Sequence, residues 1–125
     1  MLKVINNKIM INRGDIGVLS VTAQNKDGSD YIFKQGDIVR LTVMGVNNCD
    51  EIALQKDVEV EIESKEVDIR LYSENTKIGD IINNPKNYWY EVELNPDTAP
   101  QTIIGYDDKG PKLFILYPEG GMLND

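Results

Sequence analysis

Carboxylates supply most of the side chains able to do chemistry in this 125-residue sequence, which holds 21 Asp and Glu, 13 Lys and Arg, and no histidine. Glu59, Glu61, Glu63 and Glu66 form the densest run, the raw material of an acidic wall or of a paired-carboxylate glycosidase. Asp27 with Asp30, and Asp107 with Asp108, offer the oxygen ligands with which flexible loops hold calcium. Arg13-Gly14-Asp15 has the form of an adhesive, integrin-binding tripeptide, and Cys49 is the single thiol.

Each of these signals has a plainer source. The glutamates alternate with Val58, Val60 and Ile62, which is how the wet face of a half-buried antiparallel strand reads. Arg70 or Lys56 on a neighbouring strand would offset their mutual repulsion. A glycosidase also needs a substrate cleft that so small a sandwich rarely builds. Neither aspartate group completes the Asp-x-Asp-x-Asp-Gly pattern with its distal glutamate, whereas aspartate and glycine are what tight turns select. The same turn chemistry accounts for Arg13-Gly14-Asp15. Without histidine the sequence lacks the commonest general base, the Ser-His nucleophile pair and the commonest transition-metal ligand. Cys49 has no activating base and no second thiol, and reads as a bystander. We therefore expect no catalytic residue, no metal and no cofactor, and a protein that is not an enzyme.

Two aromatic residues remain as a candidate interaction surface, Trp89 and Tyr72. Trp89, the single tryptophan, alternates with Tyr88, Tyr90, Val92 and Leu94, and the pattern leaves open which of the two faces is buried. An exposed Trp89 flanked by Tyr72 would make a protein-docking or sugar-stacking surface.

The elements that must position these residues are strands. Period-two alternation recurs at Leu19 to Ala23, Val39 to Val43, Val58 to Ile62, Val67 to Leu71 and Tyr88 to Leu94, and Thr102 to Tyr106 and Lys112 to Tyr117 read as further extended segments. Asn25 to Asp30 supplies a turn after which the chain reverses into Tyr31-Ile32-Phe33. Ser64-Lys65-Glu66 reads as a hairpin connection, and Asp107-Asp108-Lys109-Gly110 as a stronger one. Alternation fails between Glu74 and Asn84, where Ile78, Ile81 and Ile82 fit a helical turn before Pro85. The pattern predicts an all-β, immunoglobulin-like antiparallel β-sandwich of about eight or nine short strands. Leu41, Val60, Ile69, Tyr90 and Val92 are expected inside, and Glu59, Glu61, Arg70 and Glu91 in water.

A chain of this length fits one domain over residues 1–125, with a loose tail from about residue 120. The formal net charge of −8 favours solubility and argues against a nucleic-acid partner, which needs a basic footprint. No stretch approaches the roughly 20 apolar residues of a membrane span, and the N-terminal apolar run is shorter than a signal-peptide core. A single cysteine is ordinary for a protein made in a reducing cytoplasm, which is the expected site of synthesis.

Taken in order, Arg13-Gly14-Asp15, Asp27-Gly28-Ser29-Asp30-Tyr31-Ile32-Phe33, Gly36-Asp37-Ile38-Val39-Arg40-Leu41-Thr42-Val43, Tyr88-Trp89-Tyr90-Glu91-Val92-Glu93-Leu94, Thr102-Ile103-Ile104 and Tyr117-Pro118-Glu119-Gly120 span most of the chain. In that order they resemble the immunoglobulin-like N-terminal domain of baseplate upper proteins, a phage and prophage family of Gram-positive bacteria. The resemblance implies a structural module that attaches one baseplate component to the rest of the tail apparatus, with other phage tail or baseplate proteins as partners, the virion as its destination and self-association left open. A carbohydrate- or surface-binding β-sandwich module is the alternative, and would need an exposed aromatic platform.

Overall fold

A computed structural model describes residues 2–5, 7–48 and 50–119. Cys49 and the tail expected to be loose from about residue 120 lie outside the described residues. The strands are β1 Lys3–Ile5, β2 Lys8–Asn12, β3 Gly17–Val21, β4 Ile38–Gly45, β5 Ile52–Glu59, β6 Val67–Leu71, β7 Lys86–Leu94, β8 Gln101–Ile104 and β9 Lys112–Tyr117, with one helical turn, α1, at Ser73–Thr76. They form an all-β sandwich, as the alternation predicts. One sheet has seven strands in the order β1-β2-β9-β7-β4-β5, with β8 also paired to β7, and the other consists of β3 and β6. All pairings are antiparallel except β2 with β9, which is parallel.

The core lies between the two sheets. Val39, Leu41 and Val43 of β4, Tyr88, Tyr90, Val92 and Leu94 of β7, and Phe114 and Leu116 of β9 are buried on the inner face of the large sheet, against Leu19, Val21, Val67, Ile69 and Leu71 of the small one. Val60 is buried too, so the five residues expected inside are inside. Each such side chain contributes about 1.5–3 kcal/mol of transfer free energy. Glu59, Glu61 and Arg70 are exposed, whereas Glu91 is half-buried, for a reason given below.

Four local expectations are corrected. First, the strand placed at Val58 to Ile62 is the end of the longer β5: the chain leaves the large sheet after Glu59, and Ile62 is 81% exposed. Val60 keeps the inward face that the alternation gives it and stays tied to the chain just before β4, its N–H donating to the Asp37 carbonyl at 2.8 Å and its carbonyl accepting from the Gly36 N–H at 2.9 Å. Second, Ser64-Lys65-Glu66 does not close a hairpin, because β5 belongs to the large sheet while β6 pairs with β3. The stretch after Glu59 is instead a crossing between sheets, tied to Phe33 by a two-way backbone pairing with Ser64. Third, the helical turn expected within Glu74–Asn84 is confined to Ser73–Thr76. Ile78 is buried and Ile81 is 60% exposed, and Gly79 between them takes a left-handed φ of 62° that ends any helical continuation.

The fourth correction shapes the site. Asp107–Gly110 is a tight turn, closed by reciprocal backbone bonds between Asp107 and Gly110, but the strands it separates do not pair with each other. β9 runs along the first half of β7 (Lys86 opposite Leu116 through Tyr90 opposite Lys112). β8 runs along the second half of the same edge (Val92 opposite Ile104, Leu94 opposite Gln101). They are two collinear pieces of one edge, and residues 105–111 bulge out between them.

At the far end of β7, Asn95 adopts a left-handed φ of 49° and ties two elements together. Its side-chain oxygen accepts from the Ile38 N–H at 2.8 Å, and its amide donates to Asp37 at 3.1 Å. Burial alone pushes the Asp37 carboxyl up, but donation from the Lys34 N–H, the Tyr31 hydroxyl and Asn95 outweighs it and holds the group below its ordinary value. A depressed carboxylate stabilises the fold above its unfolded pKa of about 3.9 and loses that contribution as the pH falls through the folded value. Asp37→Asn is expected to cost about 1 kcal/mol at pH 7, since water reaches this carboxylate, and much less near pH 3. Urea titrations at the two pH values check this; an equal cost at both would mean the carboxylate charge is not what stabilises the junction.

Candidate association surface

Side chains that alternate with the core residues of the large sheet point to its other side, and the register lines them up in rows. Ile52 of β5 stands opposite Met44 of β4, Met44 opposite Trp89 of β7, and Trp89 opposite Leu113 of β9. This apolar row crosses four adjacent strands. The next row is Gln55, Thr42 and Glu91, and the one after it is Asp57, Arg40, Glu93 and Thr102. A single face thus grades from apolar to charged over three rows.

The break between β9 and β8 falls beside Glu91. Because no strand residue pairs across from it there, a groove of about 360 Å³ opens, bordered by Met44, Ile52, Trp89, Glu91, Tyr106 and Pro111. Gly105 begins the bulge, where a Cβ would meet the Thr102 methyl at 2.6 Å, so a larger residue there would force the Thr102 side chain to shift. Tyr106, the next residue, is 76% exposed.

The electrostatics of the groove are unbalanced. Arg40 is the cross-strand partner of Glu93, yet its guanidinium turns to Asp57 (2.7 and 2.9 Å) and Asp97 (3.0 and 3.3 Å), which holds Asp57 below the usual carboxylate range. Lys112 is ion-paired with Asp107 at 2.8 Å. Glu91 is left beside another carboxylate. Its partial burial, then the charge of Glu93 and the hydrogen bond between the two, push its carboxyl up. Such a group binds its proton more tightly folded than unfolded, so it costs stability as the pH rises above its ordinary value. Glu91→Gln is expected to raise stability at pH 7 by a few tenths of a kcal/mol after solvent screening, and to lose that advantage near pH 4. Thermal melts at the two pH values test this; destabilisation at pH 7 would show that the carboxylate has a cation partner.

Of the two aromatic residues singled out from the sequence, Trp89 lies on this face, half-buried, while the alternating Tyr88 and Tyr90 are buried in the core. Tyr72 is 51% exposed but stands on the other side of the sheet. Its ring lies 4.7 Å from the ammonium of Lys56, and Lys56 is the register partner of the core residue Leu41. The surface of Trp89 flanked by Tyr72 is therefore not formed; Tyr106 takes that place. Glu91, Glu93, Met44 and Tyr106 carry no sequence signal as a group, because only the register brings them together.

The remaining candidates serve local structure. Arg13 donates to the carbonyls of Ile78 and Gly79 at 3.3 and 2.7 Å and pairs with Glu119, and Gly14 takes a left-handed φ of 88°. Arg13-Gly14-Asp15 is thus a turn whose arginine clamps the loop after α1. Asp27 accepts from the Ser29 N–H and hydroxyl, and Asp107 from the Lys109 N–H. Among the described residues no three of Cys, Asp and Glu come together as a metal-binding group, and no helix is long and apolar enough to cross a membrane. No protein-family model, no curated protein and no solved structure matches the chain.

Proposed function

We propose that this chain is a non-enzymatic assembly module that joins a partner protein through the outer face of its large sheet. The observation that carries this reading is the apolar row Ile52, Met44, Trp89 and Leu113 on the face turned away from the core, where a half-exposed sheet otherwise reads as polar. Apolar side chains gathered on one face and rimmed by charge are the usual makings of a protein contact. The resemblance of the sequence to the N-terminal domain of baseplate upper proteins supports placing that contact in a phage or prophage tail, with another tail or baseplate protein as the partner. The groove beside Trp89 keeps a second reading alive, a module that binds carbohydrate by stacking a sugar on the indole.

Co-expression with the proteins encoded beside it, followed by size-exclusion chromatography, tests the proposal. A stable complex with one neighbour, weakened at least about tenfold by Trp89→Lys, is the expected result, since losing a central aromatic anchor typically costs more than about 1.4 kcal/mol. Failure to bind any neighbour, together with Trp89-dependent binding of a sugar, would replace it with the second reading.

A further inference from the structure

We infer that the groove between Trp89 and Tyr106 receives an arginine side chain of the partner, its guanidinium stacked on the indole and bonded to the Glu91 carboxylate, with Glu93 the next acid along the same face. The inference rests on the assembly reading and specifies the chemistry of that contact. Three features of the groove point the same way. Its walls are aromatic and apolar, with Trp89 on the sheet, Tyr106 on the bulge and Met44 beside them. Of the ionisable side chains that border it, Glu91 has Glu93 as the next acid on the same face of β7, while Lys112 is ion-paired with Asp107; Arg40, the register partner of Glu93, is committed to Asp57 and Asp97. Its volume of about 360 Å³ suits a side chain, lying at the small end of ligand sites. A larger hollow of about 510 Å³ at Ala23–Lys26 and Gln101–Ile103 has Tyr31 as its one aromatic wall, and the Tyr31 hydroxyl is already bonded to Asp37 at 2.7 Å.

A neutral ligand would satisfy the aromatic walls and leave the carboxylates repelling each other. An ammonium ion would answer the charge as a compact, strongly hydrated point. A guanidinium does both: it is planar, weakly hydrated, stacks on indole, and presents a fork of donors that can reach two carboxylates at once. Partial burial of Glu91 strengthens the attraction, because the carboxylate is poorly served by water and a cation there relieves the repulsion from Glu93.

The test needs no partner protein. N-acetyl-arginine amide is titrated into the full chain at low salt, with the single tryptophan as the fluorescent reporter, alongside N-acetyl-citrulline amide, the neutral analogue of nearly the same shape. Millimolar binding of the arginine probe, about tenfold weaker for citrulline and for the Glu91→Gln/Glu93→Gln double variant, is the expected result. Glu59→Gln/Glu61→Gln removes the same charge from exposed positions and is expected to leave binding unchanged, which separates a site from general attraction to an acidic protein. Equal binding of citrulline, unchanged binding by Glu91→Gln/Glu93→Gln, or equal loss in the Glu59→Gln/Glu61→Gln control would each overturn the inference. Methyl glucoside binding in place of the arginine probe, indifferent to both glutamate pairs, would overturn it together with the assembly reading. A partner that docks through Trp89 while the arginine probe fails to bind would overturn the inference alone.

Discussion

Replacing Phe114 by alanine is expected to remove about 3–5 kcal/mol of stability, a large part of the 5–15 kcal/mol that holds a typical domain together. Phe114 is fully buried on β9, with Ile9 of β2 on one side and Tyr88 of β7 on the other. It therefore sits where the parallel pairing of β2 with β9 meets the long antiparallel strand β7. Truncation deletes the ring's burial and leaves a cavity that two flanking strands, pinned by their ladders, cannot collapse to fill. Urea denaturation should show the midpoint falling steeply with little change in slope. A loss below about 1 kcal/mol, within the range of ordinary surface substitutions, would mean that β9 does not turn this residue into the core.

Val60→Asp is expected to unfold the chain or to cost more than about 3 kcal/mol, while Glu61→Lys should stay within about 0.5 kcal/mol. The two residues are adjacent, so the contrast isolates side-chain direction from anything the backbone does there. Val60 is 6% exposed and its N–H and carbonyl are both engaged by residues 36 and 37, so a carboxylate at this position cannot swing into water without breaking that pairing. Glu61 is exposed, and its charge reversal leaves an acidic chain less acidic. Circular dichroism and thermal melts of the two variants read the difference directly; equal effects would reverse the assignment of faces where the chain leaves β5.

How far the fold could be read in advance depended on whether a segment answered to local pattern or to a distant partner. β4, β6, β7 and β9 are legible because Val39-Leu41-Val43, Val67-Ile69-Leu71, Tyr88-Tyr90-Val92-Leu94 and Phe114-Leu116 each place buried residues two apart, which is the period a sheet imposes. The crossing after Glu59 is not legible, because Val58, Val60 and Ile62 continue the alternation while the backbone has already left the sheet. Val60 still bonds to Asp37 and Gly36 just before β4, and it is the pairing of Ser64 with Phe33, a partner far away in sequence, that then carries the chain away. Asp107-Asp108-Lys109-Gly110 was legible as a turn, and Gly110 has the left-handed φ of 95° that a turn glycine supplies. That the turn interrupts one sheet edge instead of joining two strands depends on β7 being long enough to pair with both pieces, which no local pattern states. The surface followed the same rule. Alternation singled out Trp89 as opposite in face to Tyr88 and Tyr90, but the choice of inner face and the neighbours Met44, Glu91 and Tyr106 come from register and from the bulge. Tyr72 has only its aromatic character to link it to Trp89, and its position after β6, against Lys56, sets it on the other side.

The outer face of the large sheet is the proposed working surface, and the single tryptophan lies in the middle of it. Acrylamide quenching of Trp89 fluorescence, measured on the free chain and on its complex with a co-expressed partner, tests that claim most directly. An indole open to the quencher in the free chain and protected in the complex is the expected result. A Trp89 already shielded in the free chain, or equally open in both, would contradict it.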